Sequence, residues 1–281
     1  GANGFIGQKL INQLLTNSTN EIIALVRSHE HVRPRDRVKY IVGDLADMHD
    51  FESEFYDVDV AIHCAGRAHI MKDKASDPLF EFRRVNRDFT ISLARLAASN
   101  GVRRFIYLSS IKVLGEYTSN NLEFSHLSPP NPVGPYSISK LEAEVGLRKV
   151  SKESGLDIVI IRPPLVYGSS VGGNFEKLLK LVAMSIPLPF AALNNRRSMV
   201  SVENLVDFIS LCVLHPMISN QTFLVSDGVD ISTPSLLSLI AETGGKKIKL
   251  FYLPQKLLKI GFFCIGRPGL YDRLCRSMVI D

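Results

Sequence analysis

Cysteine is scarce in this sequence and tryptophan is absent: the 281 residues include 4 Cys and 0 Trp. The cysteines are Cys64, Cys212, Cys264 and Cys275. They show no C-x-x-C spacing and no partnered histidine, which argues against a zinc site and against a disulfide framework. Reduced thiols are typical of the cytoplasm, so we expect a cytoplasmic protein that holds no metal.

Long apolar runs and a strong excess of one charge are missing as well. The apolar run 257–265 is too short to span a bilayer. Packing in the core is its favoured interpretation, and docking on a membrane surface is the alternative. The net charge of +5 comes from basic residues dispersed along the chain. That distribution is typical of an ordinary solvated surface, so we expect no nucleic-acid partner.

Apolar runs bounded by turn residues alternate with helical patterns along most of the chain. This alternation is typical of an α/β fold with a Rossmann-like, doubly wound parallel sheet. The predicted strands are Ile22–Val26, Val38–Val42, 58–63, 105–108, 158–161 and 222–225. The predicted helices are 6–15, 80–98 and 137–150. With 46% hydrophobic residues, the chain can bury a full core.

The regular alternation ends after Arg162-Pro163-Pro164, where glycine, proline and short helical patterns take over. We therefore expect a dinucleotide-binding domain over 1–165, to which 198–228 returns. A smaller substrate-binding lobe is expected from 166–197 and 229–281. Such a lobe would close over a ligand at the carboxyl ends of the strands.

Three glycines open the chain at the spacing G-x-x-G-x-x-G: Gly1, Gly4 and Gly7. Glycines let the backbone turn sharply toward a pyrophosphate, which then lies at the N-terminus of the following helix, here at Phe5 and Ile6. The turn needs a strand before it, yet the sequence begins on the turn and without Met. We expect this sequence to be a fragment that lacks its first, central strand.

The ends of the next strands indicate which dinucleotide is bound. NAD sites usually place an acidic residue at the end of the second strand, to accept from the ribose hydroxyl. Here Arg27 stands at that position, and it can pair with a 2′-phosphate instead. NADP(H) is therefore favoured and NAD(H) stays possible. In the alternative, Arg27 stacks on adenine or faces solvent. Further basic residues follow: Arg33, Arg35 and Arg37.

Two more strand ends supply predicted cofactor contacts. Asp44, followed by Leu45, is placed to accept from the adenine amino group, although a solvated turn is an equal alternative. Ala65 and Gly66 are small residues that would let the backbone approach the cofactor. His63 sits in an apolar strand, so we do not expect it to be catalytic.

Ser110, Tyr136 and Lys140 are the predicted catalytic residues. Tyr and Lys four apart share one helix face, where the ammonium can lower the pKa of the phenol. Tyr136 would then pass a proton to a substrate oxygen as hydride reaches the carbon, with Ser110 stabilising that oxygen and Lys140 binding the nicotinamide ribose. Asn86 is predicted either to orient this region or to pack between helices.

These motifs together resemble an extended short-chain dehydrogenase/reductase of the sugar-nucleotide epimerase/dehydratase family. Further matching segments are 162–168, which reads R-P-P-L-V-Y-G, and 197–202, which reads R-S-M-V-S-V. The resemblance implies that Pro163 backs the nicotinamide and that Asn174 and Arg197 contact the diphosphate of a UDP-sugar. Arg273 is a second phosphate candidate, on weaker grounds. A homodimer is also possible by resemblance.

Three family reactions compete. A 4,6-dehydratase needs acidic groups directly after the active-site hydroxyl, but Ile111 and Lys112 follow Ser110. A 4-epimerase usually carries an acidic residue where Arg27 stands. The segments 109–113, 161–164 and 194–198 resemble bacterial O-antigen 4-ketoreductases, which convert UDP-4-keto-6-deoxy-N-acetylglucosamine to UDP-N-acetylquinovosamine. We expect this reduction, with UDP-hexose 4-epimerisation as the alternative.

Two other classes stay open at this point. A non-catalytic dinucleotide sensor is a remote alternative, because such relatives usually lose Tyr or Lys and both are kept here. A membrane-docked reductase of a lipid alcohol is suggested by the apolar C-terminal run. Lys112 would either bind substrate or pair with a carboxylate.

Overall fold

Parallel strands form the centre of the molecule, which is described by a computed structural model over residues 1–28, 30, 32, 34–43, 53–68, 75–119, 122–169 and 171–281. The strands are β1 (Ile22–Val26), β2 (Val38–Val42), β3 (Val60–His63), β4 (Arg104–Leu108), β5 (Asp157–Arg162), β6 (Leu165–Tyr167), β7 (Met199–Ser201) and β8 (Thr222–Leu224). β3, β4, β5 and β8 form one sheet in that order, β1 pairs with β2, and β6 pairs with β7. Every one of these named pairs is parallel.

Helices connect the strands and cover the sheet. They are α1 (Phe5–Leu14), α2 (Pro78–Arg83), α3 (Phe89–Ser99), α4 (Pro135–Ser154), α5 (Gly173–Ala183), α6 (Val202–Leu214), α7 (Thr233–Thr243), α8 (Gln255–Cys264) and α9 (Pro268–Cys275). One turn of π-helix, Arg84–Asp88, joins α2 to α3.

Side chains alternate along β4 between two cores. Phe105 packs with Ala94 of α3 and Leu147 of α4 on one face. Ile106 packs with Leu10 of α1 and with α6 on the opposite face. A sheet with helices on both faces is doubly wound, so the predicted fold class is confirmed.

A third core joins α5, α7, α8 and α9. Its buried side chains include Leu237, Leu258 and Tyr271. The backbone around Leu188 completes it, because the amide of Leu188 donates to the carbonyl of Lys249 at 2.9 Å. The function of this part as a substrate lobe stays a prediction.

The sequence placed most elements within a few residues of where they lie, but one interpretation is wrong. The apolar run 257–265 was expected to pack in the core, but only one side of it does: Leu258 is buried and Phe262 packs against the third core, whereas Leu257, Ile260 and Phe263 are exposed. No helix in the described part of the chain has the length and apolar character needed to cross a membrane.

Candidate active site

The glycine turn lies against the end of β3. A Cβ on Gly1 would stand 2.5 Å from the Ala65 amide nitrogen and 2.6 Å from the Cys64 carbonyl carbon, so a larger residue does not fit there. A Cβ on Gly7 would overlap the carbonyl oxygen of Gly1. The turn therefore holds the backbone close enough to β3 to form a cradle at the start of α1.

The N-terminus of α1 fits an anionic ligand. Gly4 caps the helix without a side-chain hydrogen bond, and the first turn contains no acidic residue. Amide groups at such an end are free to donate to an anion, and the helix dipole favours negative charge there. The turn and helix thus fit the pyrophosphate of a dinucleotide, with Phe5 and Ile6 in the first turn.

Ser110 and Tyr136 meet at the carboxyl end of β4. Ser110 follows the strand by two residues and is buried, and its hydroxyl accepts from the Lys112 amide at 3.3 Å. Tyr136 is the second residue of α4, which begins at Pro135 after the positive-φ Gly134. The Ser110 hydroxyl lies near the Tyr136 phenol and lowers the pKa of that phenol, against the larger effect of burial. A carbonyl oxygen bound at this point would meet two hydroxyl groups.

Lys140 lies one helical turn after Tyr136 and is only 4% exposed. Its ammonium donates to the Leu108 carbonyl at 2.8 Å and stands 4.6 Å from the centre of the Tyr107 ring. Burial lowers the pKa of Lys140 to about 8, although Cys64 and Glu144 act in the opposite direction.

The predicted depression of the Tyr136 pKa by Lys140 is wrong for this arrangement. Burial raises the pKa of Tyr136, and the neighbouring Ser110 hydroxyl offsets part of the increase. The Lys140 ammonium is directed to the Leu108 carbonyl instead. The phenol is therefore held in its protonated form, which is the form that can donate a proton.

Asn86 joins the loop after β3 to the catalytic helix. It is fully buried in the π-turn, where its amide group accepts from the Arg67 amide at 2.7 Å and donates to the Ser139 hydroxyl at 3.0 Å. A Cβ on Gly66 would lie 3.3 Å from both the Asn86 Oδ1 and the Lys140 Nζ. Asn86 therefore both packs between helices and positions this loop, which unites the two predicted roles.

His63 is buried beside Lys140 without contacting solvent. Its Nε2 lies 3.0 Å from the Thr90 hydroxyl, and its ring stacks on Tyr107 with 5.9 Å between centroids. Burial and the charge of Lys140 hold the His63 pKa well below its ordinary value. A neutral, packed imidazole fits the structural role expected for it.

A buried ion pair behind the predicted catalytic residues was not foreseen from the sequence. Glu144, one turn after Lys140, binds the Arg162 guanidinium through both carboxylate oxygens at 2.6 and 3.0 Å and accepts from the Ser109 hydroxyl at 2.6 Å. The sequence spacing could have placed Glu144 near Tyr136 and Lys140, because residues 136, 140 and 144 share one helix face. Arg162 lies on another strand, so its partner could not be read from the sequence.

Charged residues also cluster between the loop after Ser110 and the C-terminal helices. Lys112 binds Glu116 at 2.7 Å, which is the carboxylate pairing considered for it. Arg197 donates to the Arg276 carbonyl at 2.9 Å, and burial lowers the pKa of Arg197 while the charge of Glu116 raises it. Among the described residues, this carbonyl is the hydrogen-bond partner of the Arg197 guanidinium, which leaves donors available for an anionic ligand.

The remaining predicted positions are spread over several elements. Arg27 is exposed directly after β1. The carbonyl of Pro163 accepts from the Ile111 amide at 3.0 Å, which puts Pro163 beside the segment after Ser110. Arg273 is exposed on α9, two residues before Cys275 ends that helix. Asp44, Leu45 and Arg33 lie outside the described residues, as does the side chain of Asn174 in α5.

Two of the arginines that follow Arg27 have structural partners. Arg37 donates to the carbonyls of Leu15, Asn17 and Asn20 at 2.8 to 3.1 Å. Arg35 binds the side chain of Asn12. They fasten the β1–β2 region to the end of α1, so Arg27 is the candidate for a 2′-phosphate among the three of these arginines that the structure describes. Over the described ranges, no group of three or more His, Cys, Asp or Glu side chains is placed to hold a metal ion.

Comparison with known proteins gives both a family and a fold. The sequence model of the NAD dependent epimerase/dehydratase family matches residues 1–225. UDP-glucose 4-epimerase of Vibrio cholerae is 40% identical over 100% of this chain and 85% of its own length. N-acetyl-alpha-D-glucosaminyl-diphospho-ditrans,octacis-undecaprenol 4-epimerase of Escherichia coli O157:H7 is 27% identical over 94% of this chain and 77% of its own length.

A solved structure carries the same fold. UDP-glucuronic acid 4-epimerase from Bacillus cereus in complex with NAD superposes with a TM-score of 0.75, at 20% identity, over 90% of this chain and 85% of that one. At that identity the likeness concerns the fold. It agrees with the parallel sheet and the glycine turn described above.

Proposed function

The chain belongs to the NAD dependent epimerase/dehydratase family, and we propose that it reduces the 4-keto group of UDP-4-keto-6-deoxy-N-acetylglucosamine to give UDP-N-acetylquinovosamine. Ser110, Tyr136 and buried Lys140 support a reaction at a sugar carbonyl, and the observation that favours reduction over epimerisation is exposed Arg27, where a 4-epimerase usually carries an acidic residue. Two hydroxyl donors at one point are what a ketone oxygen needs as it becomes an alcohol.

The reaction adds a hydride to C4 and a proton to O4. A bound nicotinamide dinucleotide supplies the hydride. Tyr136 donates the proton, and its raised pKa keeps that proton on the phenol until the oxygen becomes basic. Ser110 donates to the same oxygen and stabilises the charge that develops on it. Lys140, whose ammonium reaches the buried end of β4 from α4, would hold the nicotinamide ribose. The phenol regains its proton from solvent after turnover.

NADP(H) is the proposed cofactor, and Arg27 is the reason. The guanidinium stands in solvent where the second strand of such a fold ends, and it can pair with a 2′-phosphate but cannot accept from a ribose hydroxyl. The glycines 1, 4 and 7, with Phe5 and Ile6, would hold the pyrophosphate. Ala65, Gly66 and Pro163 would border the nicotinamide half, and Asp44 with Leu45 would border the adenine.

The diphosphate of the UDP-sugar is proposed to bind at Arg197. Arg197 is partly buried and its guanidinium has a backbone carbonyl as partner, so an anion would satisfy both its charge and its remaining donors. Asn174, Lys112 and Arg273 are the other proposed contacts. Residues 166–197 and 229–281 would form the lobe around this ligand, with 1–165 and 198–228 as the dinucleotide-binding part.

Dehydration is disfavoured by the residues that follow Ser110. Ile111 is only 2% exposed and packs with Met278, so it offers no acid or base. Lys112 is tied to Glu116 at 2.7 Å. A 4,6-dehydratase needs free acid and base groups at this point, and these two residues supply none.

UDP-hexose 4-epimerisation is the second candidate. It is supported by the 40% identity with UDP-glucose 4-epimerase of Vibrio cholerae over the full chain. The same Ser110, Tyr136 and Lys140 set would serve it, because epimerisation is an oxidation at C4 followed by reduction from the other face.

One incubation separates the two reactions. The protein is supplied with UDP-4-keto-6-deoxy-N-acetylglucosamine and NADPH, then with NADH, while the absorbance of the reduced nicotinamide is followed. Oxidation of NADPH matched by one reduced sugar product supports the ketoreductase. A parallel incubation contains UDP-glucose or UDP-N-acetylglucosamine without reduced cofactor. Interconversion of the 4-epimers there, with no oxidation in the first incubation, replaces the ketoreductase by the epimerase.

A further inference from the structure

The outer face of α8 is apolar and exposed. Leu257 is 53% exposed, Ile260 57% and Phe263 72%, and Ile265 directly after the helix is 63% exposed. Residues three and four apart share a helix face, so Leu257, Ile260 and Phe263 form one exposed stripe, which exposed Ile265 extends past the end of the helix. We call these four residues the α8 stripe. Leu258 and the partly buried Phe262 pack the opposite side of the helix against the core.

Positive charge surrounds the α8 stripe. Lys256 lies one turn before Ile260, and Lys259 lies one turn before Phe263, so both lysines share the outward side with the stripe. The sequence from Gly244 to Tyr271 contains no acidic residue at all. Its basic residues, all exposed, are Lys246, Lys247, Lys249, Lys256, Lys259 and Arg267.

Apolar side chains flanked by lysines on one helix are the pattern of an interfacial helix. The apolar groups enter the boundary between headgroups and acyl chains, while the long lysine stems carry the ammonium groups back to the anionic headgroups. Basic residues next to such a helix also strengthen the electrostatic attraction of the protein to an anionic leaflet. The first feature occurs on α8 itself, and the other exposed basic residues of 246–267 flank this helix along the sequence.

A second copy of the chain is a poorer occupant for this face. A two-fold interface places the same patch of both copies together. Lys256, Lys259 and Arg267 of one copy would then face the same three residues of the other, and like charges brought together oppose association.

We propose that the α8 stripe and its flanking lysines dock the protein on an anionic membrane surface. This docking goes beyond the proposed reaction and does not depend on it. It is peripheral and reversible, because one helix of ten residues buries a few apolar side chains rather than spanning the bilayer. The remaining attraction is electrostatic and falls as salt screens it.

Vesicle sedimentation tests the proposal. The protein is mixed with vesicles of neutral phosphatidylcholine, and with vesicles that contain about 30% phosphatidylglycerol. We expect at least about tenfold stronger partitioning to the anionic vesicles, and a decrease as salt rises. The double variant Ile260→Glu/Phe263→Glu should lose this binding. The matched control is Leu211→Glu/Leu214→Glu, which changes two exposed leucines, 57% and 67% exposed, with the same three-residue spacing on α6.

Three results would overturn the proposal. They are no binding to anionic vesicles, equal binding to both vesicle types, and binding that survives in the α8 double variant but is lost in the α6 control. Size-exclusion chromatography adds a fourth: a dimer that only the α8 variant dissociates would make this face a contact between copies. Turnover of soluble UDP-sugar is measured on the same samples. Inactive wild-type protein that still binds vesicles would refute the reaction and leave the docking intact.

Discussion

Glu144 and Arg162 form an ion pair beneath the proposed catalytic residues, with the Glu144 side chain 1% exposed and the Arg162 side chain 6% exposed. Glu144 belongs to the helix that carries Tyr136 and Lys140, whereas Arg162 ends β5 next to Pro163. The Ser109 hydroxyl donates to the same carboxylate, which brings in the segment that carries Ser110. One carboxylate thus holds together the three segments from which the proposed site is built.

Removing the charge of Glu144 should destabilise the protein strongly. Glu144→Gln leaves the Arg162 guanidinium buried without a counter-charge, and we expect the free energy of unfolding to fall by about 3–5 kcal/mol. Urea unfolding followed by circular dichroism measures the change. Replacing both partners by methionine should recover most of the loss, because no unpaired charge then remains.

Glu142 provides the matched control for this prediction. It lies two residues earlier on the same helix and binds Arg83 and Arg87 in a pair that is partly open to solvent. Glu142→Gln should cost about 1 kcal/mol or less, because solvent screens such pairs. Equal losses in the two variants would contradict the assigned difference between a buried and an exposed ion pair.

Tyr136→Phe should abolish most turnover and spare cofactor binding. The substitution removes the proton donor and leaves the ring packed against Phe82, so we expect turnover to fall about 100- to 10,000-fold. Dinucleotide affinity, measured by fluorescence titration, should be nearly unchanged. Tyr56→Phe removes a hydroxyl from a tyrosine that is 66% exposed, and it should behave as wild type. Unchanged turnover in Tyr136→Phe would refute the mechanism.

Arg27→Asp should shift cofactor preference toward NADH. An acidic residue at the end of β1 repels a 2′-phosphate and accepts from a ribose hydroxyl, so the preference for NADPH over NADH should fall about tenfold or more. Ratios of kcat/KM for the two cofactors measure it. Arg95→Asp makes the same charge change at an exposed position on α3 and should leave the ratio as it is. An unaltered ratio in Arg27→Asp would remove Arg27 from the cofactor site.

The stability of the protein should rise with pH between about 8 and 10.5 because of Lys140. Its pKa falls from the ordinary 10.5 to about 8 in the folded state, so within that window the unfolded chain binds more protons. The free energy of unfolding then increases with pH, by up to about 3 kcal/mol in total. Chemical unfolding across this range, compared between wild type and Lys140→Met, isolates the contribution. A variant with the same slope as wild type would show that Lys140 is not the source.

Local sequence patterns predicted the site where its parts are close along the chain. Ser110 follows a strand, and Tyr136 and Lys140 share a helix face, so strand and helix periodicity were enough to bring them to one edge of the sheet. The pairing of Glu144 with Arg162 depends on how α4 packs on β5, and no local pattern records that packing.

The same limit explains the two incorrect predictions. The apolar run that includes Phe263 gave no sign of which side faces the lobe, because hydrophobic content alone does not fix the direction of a helix face. For Tyr136, spacing placed Lys140 near the phenol. The Lys140 ammonium donates to the Leu108 carbonyl on β4 instead of interacting with the phenol, and this partner on another element could not be read from the spacing.

The π-turn at Arg84–Asp88 joins α2 and α3 into one helical stretch, and the number of residues in that stretch determines which side chains face the sheet. A π-turn accommodates one extra residue, and each residue of an α-helix turns the following side chains by about 100°. Deleting one residue between α2 and α3 would restore regular hydrogen bonding in the helix. It would also rotate Asn86 away from Arg67 and Ser139, or Leu93 and Ala94 away from the sheet. This stretch therefore tolerates substitution at its exposed positions far better than a change in its residue count.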